Sequence, residues 1–128
     1  MLLLPRKIIL ATGAVVEVAM HKGPVSSHDL DHRLQLPRRY LEPILQALTR
    51  KGILVGRHGK RGGYRLAKAQ QAISVYDIFE AVKTLETGKS KIELPWWPPT
   101  LAQAEQCFAS ALERITVEDL VRAAVSVS

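Results

Sequence analysis

Cysteine is almost missing from this chain: Cys107 is the one thiol in 128 residues. It cannot close an internal disulfide, so no disulfide framework is expected and the chain suits a reducing cytoplasm. Long hydrophobic runs are missing too. No stretch approaches about 18 uncharged apolar residues, which excludes a helical membrane span. The opening Met1–Lys7 places its apolar run before its charges, the reverse of a secretory signal. There are no internal repeats and no low-complexity tract. No nucleophile–base pair, phosphate-binding glycine loop before a helix, or carboxylate pair is present, so no enzymatic activity is expected. Acidic residues are scarce in one half only. Residues 1–68 carry 4 Asp and Glu against 13 Lys and Arg, a balance of +9. Residues 69–128 carry 8 against 5, or −3, within a net charge of +6. That asymmetry points to a polyanionic partner at one end of a protein with room for one domain, or a small domain and an arm.

Against these absences stands a glycine-rich cationic segment, Gly59-Lys60-Arg61-Gly62-Gly63-Tyr64-Arg65-Leu66. Flanked by Ile53-Leu54-Val55, it reads as a β-hairpin with a basic tip, and the hairpin at 53–66 is the only β element expected. Helices are expected at about 6–21, 27–34, 37–51, 75–86, 101–115 and 117–125. Ser26-x-x-Asp29, Ser74-x-x-Asp77, Thr100-x-x-Gln103 and Thr116-x-x-Asp119 each resemble a capping box, in which a hydroxyl accepts from the free amides of the first turn.

The helix at 37–51 carries Leu41, Ile44, Leu45 and Leu48 as one inward stripe, leaving Arg38, Arg39, Glu42, Gln46 and Arg50 on other faces. It follows helix 27–34 across the short connector Gln35-Leu36, which is helix-turn-helix spacing. The fold class is therefore mainly α: a winged helix-turn-helix with a two-stranded hairpin wing and a C-terminal dimerisation helix. The DNA-binding unit is expected over 1–86, a connecting loop over 87–100, and the dimerisation helix and tail over 101–128. Along that last helix Leu101, Ala104, Phe108, Ala111, Leu112 and Ile115 form an apolar stripe. A helix detached from the body needs somewhere to bury such a stripe, and a second copy is the economical answer.

These residues resemble the Rrf-type family of bacterial winged helix-turn-helix regulators, which includes an iron–sulfur cluster regulator and a nitric-oxide-sensing repressor. The resemblance rests on Gly23-Pro24-Val25-Ser26, Arg39-Tyr40-Leu41-Glu42 with Ile44-Leu45, and Gly62-Gly63-Tyr64-Arg65-Leu66-Ala67. It continues through Ile73-Ser74-Val75, Asp77-Ile78 and Ala81-Val82 to Thr116 and Asp119-Leu120. It implies a homodimeric DNA-binding regulator. Three departures matter. Many family members place three cysteines in the loop before the dimerisation helix to ligate an iron–sulfur cluster; here Lys89–Pro99 has none, so no cluster and no cofactor is expected. Asp31 and Gln35 stand where a small buried residue and a turn glycine are usual, so Asp31 must reach solvent or meet an arginine. Pro43 interrupts the recognition helix, within its first two turns by this reading, and should bend it.

The candidate DNA-binding residues are Ser26, His28, Arg38, Arg39, Tyr40, Lys60, Arg61, Gly62 and Gly63. Arg38 and Arg39 open the recognition helix, where a side chain reaches either base edges or phosphate. Tyr40 has a phosphate, a thymine methyl or a packing place beside the hairpin open to it. Ser26 caps its helix and can also meet a phosphate. Arg61 suits a narrow minor groove and Lys60 the backbone, while Gly62 and Gly63 serve conformation. His28 and His32 have metal-compatible i, i+4 spacing but no third ligand, so no metal is expected; His21 and His58 read as isolated surface residues. Trp96 and Trp97 either lock their loop or line a pocket for a small effector, whose existence is left open. The function expected is a sequence-specific transcriptional regulator, a homodimeric repressor of double-stranded DNA at a palindromic operator. The alternative, prompted by Asp31, Gln35 and Pro43, is a winged-helix protein-interaction module that has lost DNA binding.

Overall fold

The computed structural model describes residues 4–85, 95–96 and 98–127. Helix α1 (Arg6–Met20) runs through the middle, burying Ile8, Ala11, Val15 and Val18 on one face and packing on later helices and the hairpin. Helix α2 (Ser27–Leu34) begins where Ser26 Oγ accepts from the Asp29 amide at 3.1 Å. It stops at Gln35, which takes the left-handed conformation with φ 54° and ψ 47°. Just beyond it, the Leu36 amide donates to the Asp31 carbonyl at 3.0 Å, closing the helix end. Helix α3 (Arg38–Arg50) buries Leu41, Ile44, Leu45 and Leu48, the stripe its periodicity predicts, together with Ala47.

Strand β1 (Leu54–Arg57) pairs antiparallel with β2 (Gly63–Leu66), Leu54 opposite Leu66 and Arg57 opposite Gly63. The hairpin is not the only extended pairing. Val25 bridges Tyr64 through two backbone hydrogen bonds of 3.0 and 2.8 Å, tying the wing to the segment that leads into α2. Periodicity over several residues could not reveal a one-residue bridge.

Helix α4 (Val75–Val82) starts with a complete capping box: Asp77 N–H donates to Ser74 Oγ at 3.1 Å, and Ser74 N–H to Asp77 Oδ2 at 2.9 Å. It tightens into a 3-10 turn at Lys83–Leu85 where a continuous helix to 86 was expected. Glu86 and most of the expected connecting loop, Trp97 included, lie outside the described residues. Helix α5 (Pro99–Glu113) begins two residues before the expected start, because Pro98 is its N-cap and Pro99, with φ already helical, is its first residue. Thr100 therefore lies inside the helix and makes no cap. Helix α6 (Val117–Val127) has a complete box, Asp119 N–H to Thr116 Oγ1 at 3.2 Å and Thr116 N–H to Asp119 Oδ2 at 3.0 Å.

Helix α5 is less detached than its sequence position suggests. It ends at Glu113 rather than at the expected 115, and the segment that follows is held by an isolated bridge between Ser74 and Thr116, with Val75 N–H donating to the Ile115 carbonyl and Val117 N–H to the Ile73 carbonyl, each at 2.8 Å. Leu112 is buried over α4, beside Tyr76 and Phe79. Val117 belongs to the same core as Leu30, Leu41 and Ile78, so α6 returns to the front of the chain. The first half of α5, residues 99–108, is exposed.

Candidate nucleic-acid interface

The turn between α2 and α3 is built around a charge. Asp31, mostly buried, has Oδ2 3.6 Å from Arg38 Nε, while its Oδ1 is buried with no hydrogen-bond partner. Of the two fates open to Asp31, meeting an arginine is the one realised. Arg38 also donates to Ser27 Oγ at 3.3 Å, so one side chain at the start of α3 spans two sites on α2. Gln35 adopts the conformation that a glycine would take without strain. Pro43 is the sixth residue of α3, and the helix continues through it from Arg38 to Arg50. A proline there cannot donate to the Arg39 carbonyl, so α3 runs through the position one backbone hydrogen bond short.

The wing is set by two glycines. A Cβ on Gly62 would collide with the Arg57 carbonyl oxygen inside the turn, where the Gly62 amide donates to the Gly59 carbonyl at 3.0 Å. Gly63 has φ 144°, and a Cβ there would lie 2.7 Å from the Val25 carbonyl carbon. Only glycine lets β2 approach the α2 lead-in closely enough for the Val25–Tyr64 bridge. Tyr64 packs over Gly56 on the paired strand. Its own burial, reinforced by the negative charge of Glu42 on α3, pushes the Tyr64 hydroxyl above the usual tyrosine range. Tyr64 thus joins the wing to the α2 lead-in through its backbone and lies near enough to α3 to sense the charge of Glu42.

Between α3 and the wing lies an open groove of about 670 Å³. Glu42, Gln46, Thr49 and Arg50 form its α3 wall, Arg57 and His58 its wing wall, and Ser26 and Ser27 its end. Of the residues predicted as DNA contacts, Ser26, Gly62 and Gly63 line this groove. Arg61 and Lys60 are exposed at the wing tip, and His28 is exposed on α2. Arg38 is turned toward Asp31. Arg39 and Tyr40 do not line this groove; they line a second cavity against α1. There the Arg39 guanidinium sits 5.0 Å from the centre of the Tyr40 ring, and Tyr40 is 54% exposed. Of the places open to Tyr40, packing beside the hairpin is not the one it takes; Tyr64 holds that position. His21 is not isolated either, since its ring nitrogens lie 2.7 and 3.3 Å from the Arg33 guanidinium, which also pairs with Glu17 at 3.2 Å.

The α3 wall was legible and missed. Residues 42, 46, 49 and 50 recur at helical spacing on the side opposite the buried stripe, so they had to share one exposed face. What the sequence could not say was that this face looks at the wing.

The model of the Rrf2 family, described as an iron-dependent transcriptional regulator, matches residues 4–123. The chain belongs to the Rrf2 family. A putative HTH-type transcriptional regulator of Synechocystis sp., slr0846, is 33% identical over 120 residues, covering 84% of this chain and 79% of that protein. The regulator IscR of Erwinia tasmaniensis is 36% identical over 74 residues, which is 56% of this chain and 45% of that protein. Among solved structures, T. potens IscR superposes with TM-score 0.79 at 27% identity, covering 96% of this chain and 88% of that one. CymR, the global cysteine regulator of B. subtilis, gives 0.72 at 28%, covering 95% and 98%. This Rrf2 protein is thus a transcriptional regulator with a winged-helix fold, and its function is not enzymatic. No helix among the described residues is long and apolar enough to cross a membrane.

The iron that the family description implies finds no matching donor set among the described residues. Cys107, the only thiol in the chain, is exposed on α5. Among the described residues no three His, Cys, Asp or Glu side chains are grouped to hold a metal ion. An iron–sulfur cluster needs several thiolates, and these residues do not fit one.

Proposed function

We propose that this Rrf2 protein acts in the cytoplasm as a homodimeric repressor that reads a palindromic operator in double-stranded DNA without an iron–sulfur cluster. The observation that carries this reading is the groove between α3 and a wing whose tip presents Lys60 and Arg61. Helix α3 enters the major groove, with Gln46, Arg50 and Glu42 toward base edges and Arg38 and Arg39 toward phosphate at its start. Ser26 and His28 meet the backbone beside it. Arg61 enters the minor groove and Lys60 holds the backbone, while Gly62 and Gly63 set the wing's angle. Dimerisation uses the exposed part of the apolar stripe: Leu101 (43% exposed) and Phe108 (41%) on α5 and Ile115 (38%) just beyond its end, with Ala104 and Ala111 allowing close approach. A two-fold dimer presents its reading heads to half-sites about one helical turn apart.

The interaction-module alternative rested on Asp31, Gln35 and Pro43. Each is accommodated within an ordinary helix-turn-helix, and no observation favours that reading over DNA binding. The deciding measurement is fluorescence anisotropy on an operator selected from random DNA, repeated across salt concentrations. Affinity should fall with a log–log slope near −0.9 per phosphate contacted, and Arg61→Ala should weaken binding about tenfold or more, the scale of one arginine readout. A flat salt dependence would overturn DNA binding; an unchanged Arg61→Ala affinity would remove the wing tip from it.

A further inference from the structure

The second cavity, between the first half of α3 and the start of α1, has a volume of about 570 Å³, within the usual range for a small-molecule site. Its walls are largely apolar, formed by Leu10, Leu36 and Ile44 with Pro37 and Pro43. Its polar side is cationic: Arg6 and Lys7 from the first turn of α1 and Arg39 from α3, with no acidic residue in the lining. Among the described residues none of these three has a carboxylate within 4.0 Å, a condition they share with Arg57, Lys60 and Arg61 of the wing. What sets them apart is that they converge on one apolar hollow. Three cations that repel one another around an apolar hollow are stabilised by an anion with an apolar body, since the head gains charge-assisted hydrogen bonds and the body leaves water.

We propose that this cavity is an effector site for an aromatic or aliphatic carboxylate, held by Arg6, Lys7 and Arg39 at its head and by Leu10, Leu36 and Ile44 along its body. The site adjoins the reading head directly, because Gln35 of the helix-turn-helix turn and Tyr40 at the start of α3 complete its wall. A bound carboxylate recruits Arg39 away from a DNA phosphate, so ligand and operator compete for one guanidinium. By linkage each weakens the other by the same factor. This consequence rests on the DNA-binding reading above; occupancy of the cavity does not.

The test uses the full chain, free of DNA, with 2-naphthoate and its neutral isostere 2-naphthamide as probes in isothermal titration calorimetry. Saturable naphthoate binding, about tenfold or more tighter than naphthamide, is expected, the scale of one or two charge-assisted hydrogen bonds. That preference should shrink to within about threefold in Arg39→Gln and in Arg6→Gln/Lys7→Gln. Two variants from different helices, each checked by circular dichroism, separate lost binding from lost folding. Absence of saturable naphthoate binding, equal binding of the amide, or a preference unmoved in both variants would each overturn the site. The second measurement repeats the operator titration in saturating naphthoate. Operator affinity should fall about tenfold with naphthoate and stay constant with naphthamide. If naphthoate binds the cavity but operator affinity is unmoved, the effector role is overturned while the DNA reading stands. If no operator binds at all, the DNA reading fails and the calorimetry still decides the cavity.

Discussion

At the scale of single residues, the turn between α2 and α3 holds two arrangements that a free choice of side chain would not make. Asp31 keeps a carboxylate oxygen buried without a partner, and Arg38 is the cation that makes its burial tolerable. Arg38→Ala should therefore destabilise the fold by about 1 kcal/mol, more than the few tenths typical of an exposed pair, because it leaves a charge behind. Adding Asp31→Asn should restore most of that loss, and urea denaturation of the single and double variants checks both steps. Gln35 is the second case, since a side chain at φ 54° pays a steric penalty that glycine does not. Gln35→Gly should gain about 0.5–1 kcal/mol, the strain relieved less the entropy that glycine adds to the unfolded chain. A thermal melt should show the midpoint rising by a few degrees. A fall would mean that the Gln35 side chain makes contacts worth more than its strain.

At the scale of elements, the wing depends on a backbone contact outside the hairpin. Two strands of four residues are marginal alone, and the bridge from Val25 to Tyr64 gives β2 a partner on its other edge. Gly63→Ala places a methyl group against the Val25 carbonyl at a backbone angle that L side chains rarely adopt. The expected result is loss of the bridge at a cost of about 1–3 kcal/mol to the wing, with α1–α4 still folded. Hydrogen exchange reads this locally: the amides of Val25 and Tyr64 should exchange faster, while those of Leu45 and Leu48 in α3 should not. Uniform acceleration across the chain would show that the wing and the helical core unfold as one unit.

At the scale of the whole molecule, the stripe on α5 divides into a part buried against the chain itself and a part left exposed for the proposed second copy. Phe108 and Leu112 lie one turn apart in sequence, yet Phe108 is 41% exposed and Leu112 6%. Only the first is free to meet a second copy. On the proposed dimer, Phe108→Asp should give a folded monomer, since it would place two charges in the symmetric interface and remove about 1.5–3 kcal/mol of burial from each protomer. Leu112→Asp should instead lower the stability of the chain itself, because it buries a charge beside Tyr76 and Phe79. Light scattering with circular dichroism distinguishes them. A Phe108→Asp protein that stays dimeric would move the interface off this helix. A monomeric variant should also lose palindrome affinity by more than any single DNA-face substitution, because the second reading head no longer arrives at high effective concentration.

The helices, their inward stripes and most of their caps were decided locally, where a hydroxyl and a carboxylate three residues apart, or apolar residues at 3, 4 and 7, have one low-energy arrangement. Ser26, Ser74 and Thr116 cap as their neighbours require; Thr100 does not, because two prolines upstream start the helix sooner. The basic wing with its glycines was equally local, as was the family resemblance carried by Arg39–Leu45 and Gly62–Ala67. What distance in space decided was different in kind. The Val25–Tyr64 and Ser74–Thr116 bridges join residues about 40 apart, and neither leaves a periodic trace in sequence. The orientation of α3 sent Glu42, Gln46 and Arg50 to the wing and Arg39 and Tyr40 to the α1 cavity, although all five lie on non-buried faces of one helix. Helical periodicity says which residues share a face; only the packing of that helix against α1 and the hairpin says what each face looks at.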